Sequence, residues 1–257
     1  MPSRRFLLPV ALCALGLAAM SGAEPLRVLI LSGANNHNWR ATTPALKAAL
    51  EDGGRFAATV TEDVSSLKPH DLEGYSVVLS NYNEFGKKGV SSAWDNNMRV
   101  AFIAWIREGR GFVTIHAGSS VFYDWPEFQA LAGTSWGQST HHGKIHENSV
   151  QIVPLTHPIT AGMAEFTTRD EYWENCLLTP GAVVLATVTP LKAFGGSGKE
   201  EPVALATTMG AGRGFTLLLG HDVAAINNAA FKQLLRRGTE WAATGSVTFA
   251  PPPSTRK

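Results

Sequence analysis

The chain has few cysteines and no excess of charge of either sign. Its 257 residues include two cysteines, Cys13 and Cys176, and its formal net charge is +1 at pH 7. Beyond the first segment only Cys176 remains, so an intrachain disulfide is excluded there and the fold must depend on its hydrophobic core. The balanced charge argues against nucleic acid as a partner, because proteins that bind phosphate backbones carry strongly basic surfaces.

A long apolar run occurs at the N-terminus, and small residues follow it. Two arginines precede the mostly apolar segment 6–19, and Ser21 and Ala23 occupy the −3 and −1 positions of a cleavage site. A membrane-spanning helix needs about 20 consecutive apolar residues, and this run is shorter. We therefore predict a secretory signal peptide over residues 1–23, a secreted or periplasmic location, and no membrane span in the mature protein.

Short apolar runs alternate with helical patterns along the rest of the chain. Several runs, such as "RVLILS" and "YSVVLSN", are apolar throughout, which is typical of strands covered on both faces in a parallel sheet. Helical patterns occur over residues 42–52, 92–109 and 227–244. We predict one α/β domain over residues 24–246 with a doubly wound, mostly parallel sheet. A Pro-rich, disordered tail is expected over residues 247–257.

Histidines follow several predicted strands at the point where each strand ends. His37 lies in the loop after the first strand, His116 ends "GFVTIH", and His221 ends "GFTLLLGH". Ligands of open α/β sheets bind outside the carboxyl ends of the strands, so at least two of these histidines should share a pocket. Because imidazole is a common metal ligand, the three histidines could hold one divalent ion, such as zinc or manganese.

Side chains suited to hydrogen bonding and ring stacking accompany the histidines. Sugar hydroxyls bond to carboxylates and amides, and the apolar faces of sugars stack on aromatic rings. The segment "RDEYWEN" alternates such residues, although an exposed strand edge with aromatic packing would have the same pattern. The predicted substrate-binding residues are Asn36, Trp39, Asn81, Tyr123, Trp125, Asp170 and Tyr172.

A second group of histidines lies in the segment "STHHGKIHEN". His142 and His146 are four residues apart, so they would share one face of a helix and could bind a metal there. Gly143 and its polar neighbours disfavour a helix. The alternatives are a solvated loop and a loop that closes over the site.

The sequence lacks a nucleophile elbow for acyl transfer. The segment "GFVTIHAGSS" has the strand-then-turn form of such an elbow, but His116 occupies the position of the serine or cysteine. Cys176 lies elsewhere in the sequence. Acyl transfer through a serine or cysteine nucleophile is therefore disfavoured.

Four segments together resemble the ThuA-like (trehalose utilisation) family: "RVLILSGANNHNW", "GRGFVTIHAGSSVFYDWPEFQALAG", "LTHPITAGMAEFTTRDEYW" and "GRGFTLLLGHD". The resemblance implies a flavodoxin-like sheet of the class I glutamine amidotransferase-like fold, without the amidotransferase nucleophile. It also implies a link to carbohydrate use, in particular to 3-keto-glycosides. Carried over by position, His37, His116, Glu171 and His221 are the candidate catalytic residues.

Three functions are open at this point. The first is an exported lyase, hydrolase or isomerase acting on a sugar or keto-sugar. In it His116 would be the base, His37 and His221 would bind a metal ion or an oxyanion, and Glu171 would be a second acid/base or a ligand. The second is a non-catalytic carbohydrate-binding module. The third is a partner protein of an exported complex, with a vestigial pocket.

Overall fold

The computed structural model describes residues 24–85 and 93–251. The predicted signal peptide and the last six residues of the predicted tail therefore lie outside the described residues. The strands are β1 Leu26–Leu31, β2 Phe56–Thr61, β3 Val77–Ser80, β4 Gly111–Ile115, β5 Thr134–Ser135, β6 His141–His142, β7 His146–Ile152, β8 Phe166–Asp170, β9 Trp173–Glu174, β10 Leu177–Leu178, β11 Val183–Val188, β12 Glu201–Met209 and β13 Gly212–Leu217. The helices are α1 Trp39–Glu51, α2 Asn96–Arg107, α3 Pro126–Ala132, α4 Val223–Ile226 and α5 Ala229–Thr244.

Nine strands form one mixed sheet in the order β2-β1-β3-β4-β13-β12-β11-β7-β8. The five strands from β2 to β13 in this order pair in parallel, whereas each pairing from β13 to β8 is antiparallel. The expectation of a mostly parallel, doubly wound sheet is therefore not confirmed. The physical reason is chain length, because a parallel pair needs a crossover of about a dozen residues and only Gly210 and Ala211 join β12 to β13.

Helices cover the sheet on both faces, which explains why the central strands are apolar throughout. In β1, Val28 and Ile30 belong to one buried core, together with residues of α1 and α5. The alternate residues Leu29 and Leu31 belong to a second core, together with residues of α2 and α3. This two-residue alternation between two hydrophobic cores follows from the pleat of the strand.

The segment after α5 is fixed to the domain by a buried carboxylate. Glu240 accepts hydrogen bonds from the backbone N–H and the hydroxyl of Thr248, both at 2.6 Å, and from the Arg55 guanidinium at 2.9 Å. The Phe249 ring stacks on Phe56 with ring centroids 5.9 Å apart. The described part of the predicted tail thus begins with residues that pack against the core.

In residues 24–85 and 93–251, no helix combines the length and the apolar character needed to cross a bilayer.

Candidate functional site

The turn after β4 carries His116 in a strained backbone conformation. His116 has φ +45°, in the left-handed region that non-glycine residues seldom adopt, and it is buried. A short 3₁₀ turn from His116 to Ser119 follows it. Gly118 in this turn lies so close to β3 that an added β-carbon would be 2.1 Å from the Ser80 carbonyl oxygen. Strain of this kind is concentrated at functional sites.

Four side chains meet at the edge of the sheet where the parallel strands end. His37 follows β1, His116 follows β4, His221 follows β13, and Glu171 comes directly after β8. One ligand atom from each of them lies within 4.8 Å of the others. The Glu171 carboxylate is 3.4 Å from His116 Nε2, 3.4 Å from His221 Nδ1 and 3.9 Å from His37 Nε2. We call this set the His/Glu cluster.

The ring of His116 is oriented by the backbone of the neighbouring strand end. Its Nδ1 lies 2.8 Å from the carbonyl oxygen of Leu218, and a carbonyl can only accept a hydrogen bond. Nδ1 therefore carries the proton. In the neutral ring this leaves a lone pair on Nε2, the atom that faces Glu171.

The ring of His37 is oriented in the same way by Asn35. The Asn35 amide nitrogen donates to the Asn81 carbonyl oxygen at 2.9 Å, so the Asn35 oxygen faces His37. That oxygen accepts the His37 backbone N–H at 2.9 Å and lies 3.1 Å from His37 Nδ1. His37 Nδ1 is therefore the donor, and in the neutral ring Nε2 carries a lone pair towards Glu171.

The His/Glu cluster could hold a metal ion. Lone pairs and a carboxylate repel one another at these distances unless a proton or a metal ion lies among them. His116 Nε2 and His221 Nδ1 are buried and have no hydrogen-bond partner within the described part of the chain. Imidazole nitrogen and carboxylate oxygen are ligands of zinc and manganese, and outer partners such as Asn35 commonly orient metal-binding histidines.

Burial and the mutual contacts of the cluster shift the pKa values of its members. Burial by itself raises the pKa of Glu171, but the close imidazoles of His116, His221 and His37 outweigh it and hold that pKa far below its usual range. Burial lowers the pKa of His37, whereas the Glu171 carboxylate raises the pKa of His221. Glu171 is therefore ionised at neutral pH and supplies the negative charge of the cluster.

Asp170 lies behind the cluster and bonds to the backbone. One of its oxygens accepts the N–H of Gly220 at 2.7 Å, and the other accepts the N–H groups of Glu171 at 2.8 Å and His221 at 3.1 Å. Burial raises the pKa of this carboxyl group, and these hydrogen bonds act in the opposite direction. Asp170 thus joins the two loops that carry Glu171 and His221.

A cavity of about 90 Å³ adjoins the cluster. It is small beside typical ligand pockets, which measure about 300–1,000 Å³. The cavity therefore accommodates only a part of a sugar. Its lining consists of Asn36, His37, Phe85, Ala117, Ser120, Trp136, His142, Glu171 and Trp173.

The predicted substrate-binding residues lie in different places. Asn36 lines the cavity, whereas Trp125 and Tyr172 belong to the hydrophobic cores, Trp39 is buried and Tyr123 is exposed. Asn81 donates hydrogen bonds to the hydroxyl groups of two buried threonines, Thr42 at 3.0 Å and Thr43 at 2.8 Å. Apart from Asn36, these residues do not line the cavity in the described structure, and their part in binding stays a prediction.

His142 and His146 do not share a helix face. They lie in β6 and β7, and the His146 ring stacks on Phe194 with ring centroids 4.6 Å apart. His142 instead lines the cavity, with its Nδ1 3.4 Å from the Glu171 carboxylate. The segment around His142 is therefore a short strand beside the site, and its closure over a substrate stays a prediction.

Several lining residues were not among the predicted site residues: Phe85, Ala117, Ser120, Trp136, His142 and Trp173. Trp173 belongs to the acidic and aromatic segment "RDEYWEN", and it lies opposite His142 in the β6–β9 pair. The alternation of acidic and aromatic residues in this segment could have indicated Trp173 as a site residue. Phe85 and Trp136 carried no comparable signal, because neither of them directly follows a strand of the main sheet.

The fold and the cluster define an α/β protein whose candidate site lies at the carboxyl ends of its parallel strands. The family model for ThuA, described as trehalose utilisation, matches residues 27–242. The chain belongs to this family, which indicates a role in carbohydrate metabolism.

Solved structures of similar fold agree with the family. A ThuA-like protein from Parabacteroides merdae is 28% identical, with a TM-score of 0.78 over 89% of this chain and 94% of that one. A ThuA-like protein from Bacteroides uniformis is 18% identical, with a TM-score of 0.63 over 90% of this chain and 98% of that one. A beta-galactosidase from Rahnella sp. R3 is 17% identical, with a TM-score of 0.55 over 86% of this chain and 32% of the galactosidase. The last two likenesses concern the fold alone. No curated protein matches the chain at a significant level.

Proposed function

We propose that the chain is an exported enzyme of carbohydrate metabolism that catalyses proton transfer to or from a sugar or a 3-keto-glycoside. The observation that carries the proposal is the convergence of His37, His116, Glu171 and His221 in one cluster, of which His37 and Glu171 line the cavity. Membership of the ThuA family supports the substrate class. The N-terminal sequence supports export to the periplasm or the medium.

A keto-sugar matches the chemistry that these side chains offer. A ketone acidifies the C–H bonds on its neighbouring carbons, because the negative charge that develops on deprotonation spreads to the carbonyl oxygen. The reaction needs a base near the carbon and positive charge or hydrogen-bond donors near the oxygen. Histidines on either side of a buried carboxylate can supply both.

We assign the role of base to His116. Its Nδ1–H is held by the Leu218 carbonyl at 2.8 Å, so its Nε2 is the atom available to accept a proton. Glu171, 3.4 Å from that nitrogen, would stabilise the imidazolium that results. Glu171 is also placed to act as a second acid/base.

The four residues of the cluster, His37, His116, Glu171 and His221, fit a divalent ion such as zinc or manganese. His116 Nε2 cannot bind the ion and accept a proton at the same time, so where His116 is the base the ion would be held by His37, His221 and Glu171. When bound, such an ion would polarise the carbonyl group of a substrate. Asn35 and the Leu218 carbonyl would hold the imidazoles of His37 and His116 in the tautomer that ligation requires.

A non-catalytic carbohydrate-binding module is the second candidate. The observation in its favour is the aromatic wall of the cavity, where Trp136 and Phe85 lie with ring centroids 5.6 Å apart and Phe85 is 44% exposed. Aromatic rings at a cavity mouth bind sugars without any reaction. Sugar binding with no product and no exchange would favour this function.

Exchange of carbon-bound hydrogen tests the proposal. The purified chain would be incubated in D₂O with 3-keto-glycosides and their parent glycosides, and NMR would follow deuterium at the carbons next to the carbonyl. We expect exchange or product formation with the wild type, and a loss of about 10²-fold or more in His116→Ala and His221→Ala. His70→Ala, at an exposed histidine, is the control. Wild-type rates in both cluster variants would refute the assignment.

A further inference from the structure

Aromatic rings surround the mouth of the cavity, next to the His/Glu cluster. Trp136 meets Trp173 edge to face, with ring centroids 4.8 Å apart and planes at 89°, and it meets Phe85 in the same way at 5.6 Å and 82°. The His142 ring lies 6.1 Å from Trp136, at 64°. Trp136 is thus the centre of this aromatic group.

The indole of Trp136 is not covered by a stacked ring. In each of its ring contacts the two planes are steeply inclined, so among the described residues no aromatic ring lies parallel to it. Trp136 is half-buried and lines the cavity. The part of the indole that lines the cavity is therefore an apolar surface that a ligand could contact.

Three polar side chains of the same lining have unused hydrogen-bonding groups. The Asn36 oxygen accepts from Asn83 at 2.7 Å, which directs the Asn36 amide nitrogen elsewhere as a donor. Ser120 is 1% exposed, and its hydroxyl has no hydrogen-bond partner in the part of the chain that the structure describes. His142 uses its Nδ1 to donate to the Gly143 carbonyl at 2.8 Å, so in the neutral ring its Nε2 keeps a lone pair as an acceptor.

The size of the cavity indicates how a sugar divides between the two parts of the site. At about 90 Å³ the cavity is well below the usual volume of a ligand pocket, so a pyranose ring does not fit wholly inside it. If the reacting carbons enter towards the His/Glu cluster, the rest of the ring must lie at the mouth. Trp136, a half-buried residue of the lining, is the aromatic side chain that we place against it.

We infer that Trp136, together with Asn36, Ser120 and His142, forms a subsite for a pyranose ring. The apolar face of the ring stacks on the indole, and its hydroxyl groups bond to the three polar side chains. The carbohydrate class rests on the proposed function, whereas the subsite is a claim about binding and does not require turnover. It also assigns the sugar-stacking role to a residue other than Trp39, Trp125 or Tyr172.

Binding measurements on Trp136 variants test the subsite. Methyl α-glucopyranoside and trehalose would be titrated into the wild type, followed by tryptophan fluorescence and calorimetry. Sorbitol has hydroxyl groups but no ring face, so it serves as the ligand control. Trp136→Ala is compared with the conservative variant Trp136→Phe. Trp105→Phe is the control, because Trp105 stacks on Phe102 in α2, away from the cavity.

We expect the pyranosides to bind and sorbitol not to bind. Trp136→Ala should weaken pyranoside binding about tenfold or more, and Trp136→Phe should restore most of it, because a smaller ring still offers a stacking face. Trp105→Phe should bind as the wild type does. His142→Asn should weaken binding, whereas His141→Asn, at a histidine that donates to the Ser139 carbonyl, should not.

The outcomes separate the subsite from the proposed enzyme. Equal pyranoside affinity in Trp136→Ala and the wild type would overturn the subsite, as would a wild type that binds no pyranoside or binds sorbitol equally well. Binding that depends on Trp136, with no exchange or product from any keto-glycoside, would support the subsite and refute the enzymatic proposal.

Discussion

The carboxylate of Asp170 accepts the backbone N–H of His221 at 3.1 Å, across the gap between β8 and the loop after β13. The same carboxylate accepts the N–H groups of Glu171 and Gly220. Two members of the His/Glu cluster that are fifty residues apart in sequence are thus fixed by one buried side chain. Asp170 is a positioning residue for the site.

Asp170→Asn should weaken metal binding and lower stability. The amide nitrogen cannot accept a hydrogen bond, so a buried backbone N–H loses its partner, at a cost of about 1–3 kcal/mol. We expect zinc affinity, measured by competition with a chelator, to fall about 10–100-fold. Asp222→Asn is the control, since Asp222 caps α4. Zinc affinity in Asp170→Asn equal to that of the control would contradict the positioning role.

Asn35→Ala should affect the ligand His37 without unfolding the protein. The substitution removes the oxygen that accepts from His37 Nδ1, so the ring loses its fixed orientation and tautomer. The expected loss of zinc affinity is about 10–100-fold, as for other outer partners of metal ligands. Asn38→Ala is a matched control in the same loop, because the Asn38 side chain makes no capping hydrogen bond to α1. Similar zinc affinity in both variants would show that Asn35 does not orient His37.

Gly118→Ala should destabilise the turn that carries His116. The new methyl group would lie 2.1 Å from the Ser80 carbonyl oxygen, so the turn or the end of β3 must move. Such overpacking costs about 1–3 kcal/mol, and the melting temperature should fall by about 2–4 °C for each kcal/mol in a chain of this size. Val100→Ala, at a position of α2 that is 62% exposed, is the control. An unchanged melting temperature in Gly118→Ala would contradict the close approach.

Glu240 should make stability depend on pH in the acid range. Burial raises the pKa of this carboxyl group, but hydrogen bonds from Thr248 and Arg55 outweigh it, and the net pKa is lowered from 4.5. A lowered folded-state pKa contributes stability that is present above the unfolded value and is lost as pH falls through the folded value. We expect the difference in unfolding free energy between the wild type and Glu240→Gln to be largest near neutral pH and to shrink below about pH 4.5. A difference that stays constant down to pH 3 would contradict the ionised pairing.

The centre of the site could be predicted from the sequence, because ligands of open α/β sheets bind where the strands end and the positions of strand ends depend on the backbone. His37, His116 and His221 follow parallel strands, and parallel strands end at the same edge, so their convergence could be expected from the sequence. The direction of each neighbouring side chain depends on the turn that follows the strand. Trp39 begins α1 and is buried away from the cavity, which the sequence pattern did not indicate.

Other parts of the site come from segments that only tertiary packing brings together. Trp136 follows the two-residue strand β5, and Phe85 lies in the loop after β3, so no periodic pattern marks either of them. The mixed sheet, by contrast, was predictable. Two residues between β12 and β13 permit a hairpin and exclude a parallel crossover. The continuous apolar character of both strands, which is typical of parallel sheets, led to the wrong expectation for this pair.

Elemental analysis tests most directly whether the His/Glu cluster is a metal centre. The mature protein would be purified without a histidine tag, beside a variant that combines His37→Ala, His116→Ala and His221→Ala. We predict about one zinc or manganese ion for each wild-type chain, as expected for a single His/Glu site, and none bound in the variant. A folded wild type that stays empty after incubation with excess zinc and manganese, or a variant that retains the ion, would contradict a metal centre at the carboxyl ends of these strands.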